Sequence, residues 1–539
     1  MLAIKVPTGI MPLFEPTELP DNAAQIAQNC RFNRGDLRGW AGTADIATLS
    51  KPGPIKSIYR FGQDVVGDAT FWFHWTTVVN AVRGQVAGDT TERTYFTGDG
   101  VPKVTDSALA LTGGTGYPVA AYTLGVPAPD TAPVAVEGTG GVTTTVKQSR
   151  VYVMTFVTGW SEEGTPSLAS NVVSVYEGQT VDLSGLDLPP SGAFNITTKR
   201  LYRSADNGAL LFVAEIPAAQ TTFTDNVAGT ALGETLSAID NDMPPADMFG
   251  LLAYPNGGMV GFSGSDVCAC KPYKGYAWPS SLRDSVPHKI IGGAVVEQTL
   301  IVLTDGFPYA YTGTDTTSLS GQPIQSFPHS CISARSIVKV DAGVIYAAPN
   351  GLALIGNGTA RVLTEDLLSQ EDWDALNPAS IHAYGWDGKY FAFYDAGTVQ
   401  GGFILDPQDS RAPLTKIDLY ATAGYFDLRS GGLYLAVGNT VKRWAASGAA
   451  LLTYLWRSKK FLLLKPSNFA VAQVKATAYP VTFRLFADGT LLHERSVTNG
   501  EPFKLPSPRR YSICEIELTG TNPVTAVFVA NSIGELANV

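Results

Sequence analysis

Two groups of carboxylates are the first places to look for chemistry in this chain. Glu162 and Glu163 are adjacent, and on a strand they would point to opposite faces. They cannot flank one glycosidic bond, because that chemistry needs carboxylates about 5 to 10 Å apart on one face. A second group lies in LTEDLLSQEDWDALNP, which we predict to be a helix with a solvated acidic face. Its acidic residues are Asp366, Glu371, Asp372 and Asp374, and its packing residues are Leu367, Leu368 and Trp373.

Imidazole and thiol side chains do not show the spacing of metal ligands. The cysteines are sparse and odd in number, which favours folding in a reducing compartment over a disulfide framework. Cys268 and Cys270 are too close to bridge and would face the same side of a strand, so we interpret them as two small strand residues. The histidines are His74, His288, His329, His382 and His493, and the cysteines are Cys30, Cys268, Cys270, Cys331 and Cys514.

Two further patterns have a structural and a functional interpretation. The segment SADNG, residues 204–208, resembles the Asp-box turn of sialidase propellers but lacks the expected tryptophan, and we interpret it as a hairpin turn. The aromatic runs at residues 71–73 and 390–394 could stack on sugars or bases. We favour the hydrophobic interior of a sheet, and we predict no catalytic residue, no cofactor and no metal.

Composition indicates a large globular protein built from short strands. The 539 residues are 45% hydrophobic and 16% charged, with 55 glycines and 34 prolines, and this length is typical of about three or four domains. The net charge of −10 argues against a surface that grips nucleic acid, although a duplex could slide past an acidic wall. We expect no secretory signal and no membrane-spanning segment.

A weak repeat predicts a β-propeller. Each unit has an apolar strand, a turn, a strongly apolar strand, a second turn and a third strand, at a spacing of roughly 40 to 45 residues, which is the period of a propeller blade. The strong strands are GMVGF, TLIVL, GVIYAA, KYFAFY and GLYLAV, in units that begin at Met248, Ile290, Ser333, Ala379 and Leu419. An earlier unit with TFWFHW brings the number to six. The alternative is two unrelated β domains.

Three other regions complete the domain prediction. Alternating segments within residues 142–228 predict a β-sandwich, and their YRS, FVAEIP and TFTD segments resemble a fibronectin type III-like module. The preceding VEGTGGVTTTV is interpreted as a linker. The C-terminal part contains two strands joined by Asp488-Gly489, a strong hairpin signal. The predicted divisions are 1–50 (platform), 51–135 (first blade), 142–228 (sandwich), 240–450 (remaining blades) and 451–539 (platform).

The opening stretch LPDNAAQIAQNCRFNRGDLRGW, residues 19–40, has the pattern of a docking element. Asp21 suits a helix N-cap, and one apolar face combines Ala23, Ile26, Ala27 and Cys30, which predicts a short amphipathic helix with Cys30 buried. A strand is expected after Gly35. Elements this short are not stable alone, so we expect the stretch to join the C-terminal sheet in a platform built by both chain ends.

The same stretch resembles the N-terminal signature of tail tubular protein B-like nozzle proteins of short-tailed phages. The chain departs from that signature at Asp36 and at Gly39-Trp40. A Trp-Arg-Ser-Lys step in YLWRSKKFLLLKPSNFAVAQV and the sandwich segment TFVTGWSEEGTPS resemble other phage virion proteins. The residues that match, and that we predict to serve assembly, are Pro20, Asp21, Asn29, Gly35, Leu37, Arg38, Trp456, Arg457 and Lys459.

The resemblance implies a structural virion protein at the tail tip, made in the host cytoplasm and without enzymatic activity. Its partners would be copies of itself in a six-membered ring, a tail adaptor above, fibres or spikes at the side, and double-stranded DNA that passes without specific binding. The fibronectin-like insertion could bind a host-surface glycan. The alternatives are a glycan-cleaving depolymerase and a receptor-binding adhesin, since propellers with appended sandwiches serve several functions.

Overall fold

The computed structural model describes residues 1–32, 35–62, 71–205, 208–356, 358–408, 414–506 and 510–536. Within these ranges the chain is mainly β, as predicted, with 46 strands and three short α-helices. None of the described helices is long and apolar enough to cross a membrane. Three parts can be distinguished by their sheets: a propeller, a sandwich inserted into it, and a platform formed by both chain ends.

The elements up to the insertion come from the platform and from the start of the propeller. The N-terminal strands are β1 (Leu2–Lys5), β2 (Ala24–Gln28), β3 (Cys30–Arg31), β4 (Arg38–Gly39) and β5 (Ala44–Thr48). The first propeller elements are β6 (Ser57–Phe61), β7 (Phe71–Trp75), β8 (Asn80–Arg83), β9 (Thr94–Thr97), β10 (Lys103–Thr105), α1 (Ser107–Leu111) and β11 (Tyr122–Thr123).

The inserted sandwich has eight strands in three small sheets, ordered β12-β16-β19, β13-β15 and β14-β17-β18. These are β12 (Val134–Gly140), β13 (Gln148–Arg150), β14 (Tyr152–Thr158), β15 (Val173–Val175), β16 (Gln179–Ser184), β17 (Ile196–Ser204), β18 (Leu210–Pro217) and β19 (Phe223–Asp225). Strand β12 pairs with β16, so the linker interpretation of that segment was wrong. Small residues still permit a strand where a partner strand supplies the hydrogen bonds.

The rest of the propeller consists of β20 (Phe249–Tyr254), β21 (Gly258–Ser263), β22 (Asp266–Ala269), β23 (Arg283–Ser285), β24 (Ile290–Val296), β25 (Thr299–Thr304), β26 (Tyr309–Thr312), β27 (Ser320–Pro323), β28 (Val338–Val340), β29 (Gly343–Ala348), β30 (Gly351–Gly356), β31 (Thr359–Val362), α2 (Gln370–Ala375), β32 (His382–Trp386), β33 (Lys389–Asp395), β34 (Gln400–Leu405), β35 (Leu414–Ile417), β36 (Ala423–Asp427), β37 (Gly432–Val437) and β38 (Thr440–Arg443). Short 3-10 turns lie at Gly229–Ala231, Ser280–Leu282, Ala334–Ser336 and Pro378–Ser380.

The C-terminal platform contains β39 (Tyr454–Ser458), β40 (Phe461–Ser467), β41 (Val471–Ala476), β42 (Val481–Ala487), β43 (Thr490–Val497), β44 (Phe503–Lys504), β45 (Tyr511–Gly520), β46 (Val524–Ala530) and α3 (Ile533–Leu536). The predicted hairpin is confirmed: β42 pairs with β43, and Asp488 and Gly489 both have positive φ, at 46° and 77°. This backbone is typical of the tight turn that Asp-Gly favours.

The predicted repeat forms a ring of antiparallel sheets. Six groups of four strands follow one another as blades: β8–β11, β20–β23, β24–β27, β28–β31, β32–β35, and β36–β38 completed by β5. The predicted first blade is divided: residues 71–75 of its strong strand TFWFHW lie in the two-stranded sheet β6–β7, whereas its outer strand RTYFTG lies in β8–β11. Strand β6 packs beside β36 of the last blade, and Phe73 and Trp75 of β7 share a hydrophobic cluster with Phe96 of β9. The first strands of neighbouring blades contact each other around the ring. Each predicted strong strand is the second, deeply buried strand of its sheet.

The ring closes through strands from distant parts of the chain. Strand β5 pairs antiparallel with β38, with Ala47 opposite Val441. Strand β6 packs beside β36, where the Arg60 guanidinium forms a salt bridge with Asp427. Both side chains are almost inaccessible to solvent. The junction between the first and last sheets therefore contains a buried charge pair as well as apolar contacts.

The platform is continuous with the propeller, since one ten-stranded sheet runs from β32–β35 through β2, β39, β45 and β42 to β43, with β40 also paired to β45. A second sheet has the order β1-β46-β41-β44. Both chain ends thus build the platform, as expected. The largest hydrophobic cluster spans the two parts and includes Trp456, Tyr390 and Leu37.

Two helix predictions need correction. Residues 24–28 form strand β2 rather than part of a helix, because β39 pairs along one side of them and β35 pairs at Gln28. An isolated helix of two or three turns has no comparable set of partners. The helix predicted for LTEDLLSQEDWDALNP is shorter than expected and is confined to α2. Ser369 caps α2 by accepting a hydrogen bond from the Asp372 N–H. In the whole segment, the acidic side chains Asp366, Glu371 and Asp374 are exposed, and Trp373 is buried.

The buried pair at the ring junction leads to a stability prediction. Replacing Arg60→Met leaves the Asp427 carboxylate buried without its cation, and we expect a loss of about 3–5 kcal/mol in the free energy of unfolding. Urea titration followed by tryptophan fluorescence measures this. The control is Lys103→Met, because Lys103 pairs with Asp99 at the surface and such pairs contribute about 0–1 kcal/mol. Equal midpoints for both variants would contradict the role of the pair.

Candidate assembly site

The predicted assembly residues lie where the N-terminal segment meets the C-terminal sheet and the edge of blade β32–β35. We call this region the chain-end junction; it consists of residues 20–32, 35–40, 416–418, 453–459 and 515–524. Strand β2 supplies its centre, because it pairs antiparallel with β39 and meets β35 in a parallel bridge. The segments are up to about 500 residues apart in sequence. The prediction that the opening stretch docks on the C-terminal sheet is confirmed.

Asn29 connects three segments at this junction. Its backbone is left-handed, with φ 57°, a conformation that asparagine tolerates better than most residues. Its Nδ2 donates to the Asp418 carboxylate at 2.9 Å and to the Thr453 carbonyl at 3.1 Å, and its Oδ1 accepts from the Asp418 N–H at 3.3 Å. The side chain is 3% exposed. Asn29 therefore joins the N-terminal segment to the end of a blade and to the start of β39.

The turn after Asn29 brings Leu37 into the platform. Gly35 has φ +74°, a conformation that glycine adopts without strain. Leu37 is fully buried, and its backbone forms two reciprocal hydrogen bonds with Val524 at 2.8 Å. The Arg38 guanidinium pairs with the carboxylate of Asp36, with Nε at 2.9 Å. Asp36, which departs from the family signature, thus fixes the neighbouring arginine.

The predicted residues of β39 alternate between the interior and a charged face. Trp456 is fully buried, and its Nε1 donates to the Thr8 carbonyl at 3.0 Å. Arg457 donates to the Glu517 carboxylate through Nε and Nη2, at 2.8 and 2.6 Å, while Arg484 reaches the other oxygen at 2.7 Å. One carboxylate on the central strand β45 is therefore shared by arginines on both neighbouring strands.

The remaining three predicted positions lie where the two chain ends meet. The Lys459 Nζ lies 3.2 Å from the Asp21 carboxylate. Asp21 was predicted as a helix N-cap, and the structure instead gives it a cation from the C-terminal sheet. Pro20 is exposed, and its carbonyl accepts the Ala23 N–H at 3.0 Å. The junction brings together all nine predicted residues.

Some residues of the junction were missed from the sequence. Asp418 and Glu517 both receive side-chain hydrogen bonds from predicted residues. Gln25 donates to the Ser458 carbonyl at 2.7 Å and to the Glu515 carboxylate at 2.9 Å. The sequence offers little signal for these residues, although the alternation of charged and apolar residues in YSICEIELTG indicates that Glu515 and Glu517 share one face of a strand.

Glu162 and Glu163 form a second junction, between the sandwich and the propeller. Glu162 pairs with Arg93 at 2.9 Å, and Glu163 pairs with Arg200 at 2.9 Å. The two carboxylates therefore diverge, as predicted. The Arg93 guanidinium also lies 4.4 Å from the ring of Trp160. Burial raises the pKa of Glu162 to about 7, and the charge of Arg93 offsets this only in part.

The cysteines, the SADNG segment and the aromatic runs lie within or between the strands of sheets. All five cysteines are buried free thiols. Cys268 lies on β22, as predicted, whereas Cys270 directly follows that strand. Both lie in one hydrophobic cluster, and burial raises their pKa values to about 11 and about 12. The strands β17 and β18 form a hairpin around residues 204–208, as predicted, although Asp206 and Asn207 of that segment lie outside the described residues. The aromatic residues Phe391 and Phe393 are fully buried inside a blade.

No group of three or more potential metal ligands occurs in the part of the chain that the structure describes. Among the histidines, His382 is buried, and burial together with the nearby Arg335 charge lowers its pKa to about 4. Burial also lowers the pKa of His74, whose Nδ1 lies 2.9 Å from the Trp72 carbonyl. Both imidazoles are therefore largely neutral around pH 7.

No family model and no curated protein matches the chain. Among solved structures, virginiamycin B lyase from Staphylococcus aureus is 9% identical with a TM-score of 0.28, and the match covers 68% of this chain and 99% of that chain. Apo AztD from Citrobacter koseri is 10% identical with a TM-score of 0.28, covering 69% and 99%. A likeness of this degree carries no statement about the activity or ligands of this chain.

Asn29 allows the hydrogen bonds and the backbone conformation of the junction to be tested separately. Asn29→Gly removes the side-chain bonds, and we expect it to lower the free energy of unfolding by about 1–3 kcal/mol. Asn29→Ala removes the same bonds but keeps a β-carbon in the left-handed region, which alanine tolerates less well than asparagine, so it should be about 1 kcal/mol less stable than Asn29→Gly. Urea unfolding should therefore rank wild type above Asn29→Gly above Asn29→Ala.

The control for this series is Asn499→Ala, since Asn499 is exposed. Its midpoint should stay close to that of the wild type, within about 0.5 kcal/mol. An Asn29→Ala variant as stable as the wild type would show that the junction does not depend on this side chain.

The buried Glu162 leads to a pH prediction. Because its pKa is raised to about 7 in the folded protein and is about 4.3 when unfolded, the folded state binds more protons between these values. Its contribution to stability is therefore greatest at low pH and falls as pH rises from about 4.5 to 7. We expect Glu162→Gln to reduce the fall in the free energy of unfolding over this pH range by about 1–2 kcal/mol. Urea unfolding at several pH values measures this. Glu137→Gln, at an exposed position, should leave the slope unchanged.

Proposed function

We propose that this chain is a structural subunit of the ring-shaped tail nozzle of a short-tailed phage. The ring would form the distal DNA conduit, retain the genome, open for ejection and anchor fibres at its sides. The observation that carries the proposal is that the six residues of the nozzle resemblance lie at the chain-end junction, together with Trp456, Arg457 and Lys459. Asp21 and Lys459 form an ion pair between the two ends of the 539-residue chain.

The surface of the platform supports an assembly role. Strand β40 carries Leu462 and Leu464, which are 60% and 106% exposed. The Lys460 N–H at its start donates to the Pro16 carbonyl at 2.8 Å, and the segment before Pro16 exposes Leu13 and Phe14. Exposed apolar side chains on both sides of one contact are typical of a surface that meets another protein. In the proposed ring these side chains would face the neighbouring subunit.

The charge of the chain also fits a conduit. A net charge of −10 repels phosphates, so a duplex inside the ring would pass without being held. The sandwich leaves the propeller between β11 and β20, which gives it a position where a fibre or a host-surface glycan could bind without disturbing the chain-end junction.

Ring assembly can be tested with one pair of leucine variants. We expect the wild type to form rings of about six copies, measured by mass photometry, and the protein to be present in purified virions. Leu464→Glu places a charge on the exposed platform strand and should shift the population towards monomers by at least about tenfold, because burying an unpaired charge in an interface costs several kcal/mol. A wild type that is strictly monomeric and absent from virions would contradict the proposal.

The matched control is Leu428→Glu. Leu428 is 87% exposed and lies between β36 and β37 of the propeller rather than on the platform. It should assemble like the wild type. If both variants lose the ring equally, the effect comes from added charge and not from the platform surface.

A further inference from the structure

The middle of the propeller contains a cavity of about 840 Å³. Its walls are the first strands of four sheets, β8, β20, β24 and β28, together with the 3-10 turn Ala334–Ser336. Strand β24 contributes Gly292 and Gly293, where a β-carbon would meet Ile337 or the Ile301 carbonyl, so neighbouring strands pack closely behind this wall. A volume of this size falls within the range of small-molecule sites, roughly 300–1,000 Å³.

The charged residues of this cavity all have the same sign. Lys289, Arg335 and Lys339 line it, and none of the described lining residues carries a carboxylate. This distribution is opposite to that of the whole chain, which has 48 acidic and 38 basic residues. The Asp305 carboxylate accepts the Lys289 N–H at 3.1 Å, but it is not among the lining residues. The wall itself therefore supplies positive charge that an anion would complement.

Arg335 is held in place by the ring itself. Its Nη2 donates to the Lys56 carbonyl at 2.9 Å and to the Thr422 carbonyl at 2.6 Å, which are the residues just before β6 and β36. Carbonyl partners orient the guanidinium without neutralising it. No carboxylate of a described residue lies within salt-bridge distance of Arg335, and the nearby His382 is buried and mainly neutral. The positive charge of the guanidinium is therefore available to a ligand.

Two of the three basic residues, Lys289 and Arg335, lie at one mouth of the cavity, and Lys339 lies near the other mouth, two residues before Asp341. Each blade begins with its inner strand, so the starts of the inner strands meet at one end of the ring and their ends meet at the other. Lys289 directly precedes β24, and Arg335 lies just before β28. The residues that directly follow β24, β28 and β32 are Glu297, Asp341 and Asp387. An anion would therefore be attracted to one mouth and repelled from the other.

We propose that the basic mouth of the central cavity binds a small multivalent anion, a compound with at least two phosphate or carboxylate groups. Arg335 would bind one anionic group through its fixed guanidinium, and Lys289 would bind a second from the neighbouring strand, since charge-assisted hydrogen bonds are the strong ones. The proposal concerns the propeller alone and does not depend on the tail assembly proposed above.

The test is isothermal titration calorimetry of the full-length protein with pyrophosphate and with citrate at physiological ionic strength. We expect saturable binding of at least one of them. Lys289→Gln should weaken it by about tenfold or more, because a lost charge-assisted hydrogen bond contributes about 1.5–3 kcal/mol. Preference for pyrophosphate would identify phosphate as the ligand group, and preference for citrate would identify carboxylate.

The control variant is Lys504→Gln, at an exposed position of the platform, which should bind as the wild type does. Lys289 is exposed, so Lys289→Gln should fold normally, and circular dichroism checks this. A second variant, Arg335→Gln, tests the fixed guanidinium and should weaken binding as well. Absence of saturable binding for both anions, or equal affinity in the wild type and in Lys289→Gln, would overturn the proposal.

Discussion

The pairing of β5 with β38 is the interaction on which the rest of the structure depends. A propeller blade has two apolar faces and cannot bury them alone, so its stability comes from neighbours on both sides. Around most of the ring those neighbours are adjacent in sequence. At one position they are not, and there the last blade is completed by a strand from residues 44–48, while the buried pair of Arg60 and Asp427 joins the first sheet to the last.

The platform follows from this closure. Because the chain must reach the last blade before its propeller begins, residues 1–43 arrive on the same side as the residues that leave that blade. Both segments then share strands: β2 lies between β35 and β39, and β1 pairs with β46. The sheet of blade β32–β35 continues into the platform without interruption. A displacement of the platform would therefore be transmitted directly to a blade, and Asn29 lies at the point of contact.

The sequence predicted the elements whose pattern is local. The strong strands of the repeat were recognisable because aliphatic and aromatic residues fill five or six consecutive positions, as buried strands require. Asp488-Gly489 predicted its hairpin for the same local reason. The helix at residues 21–30 was wrong because alanines and Ile26 happen to recur at helical spacing, whereas the pairing partners of β2 lie about 390 and 430 residues away. Asp418 and Arg335 were missed because their contacts, too, are made only by the closed ring.

The order of synthesis leaves strand β5, which closes the ring, without its partner strand for most of translation. Strand β5 leaves the ribosome early, and its partner β38 follows about 390 residues later, so at roughly 5–20 residues per second β5 remains without its final partner for about 20–80 s. During that time the blades can form one by one, but their ring stays open and apolar faces at both ends remain accessible. The nascent propeller is thus most prone to aggregation while it is being translated, and its protection depends on the chain being finished rather than on the stability of any single blade.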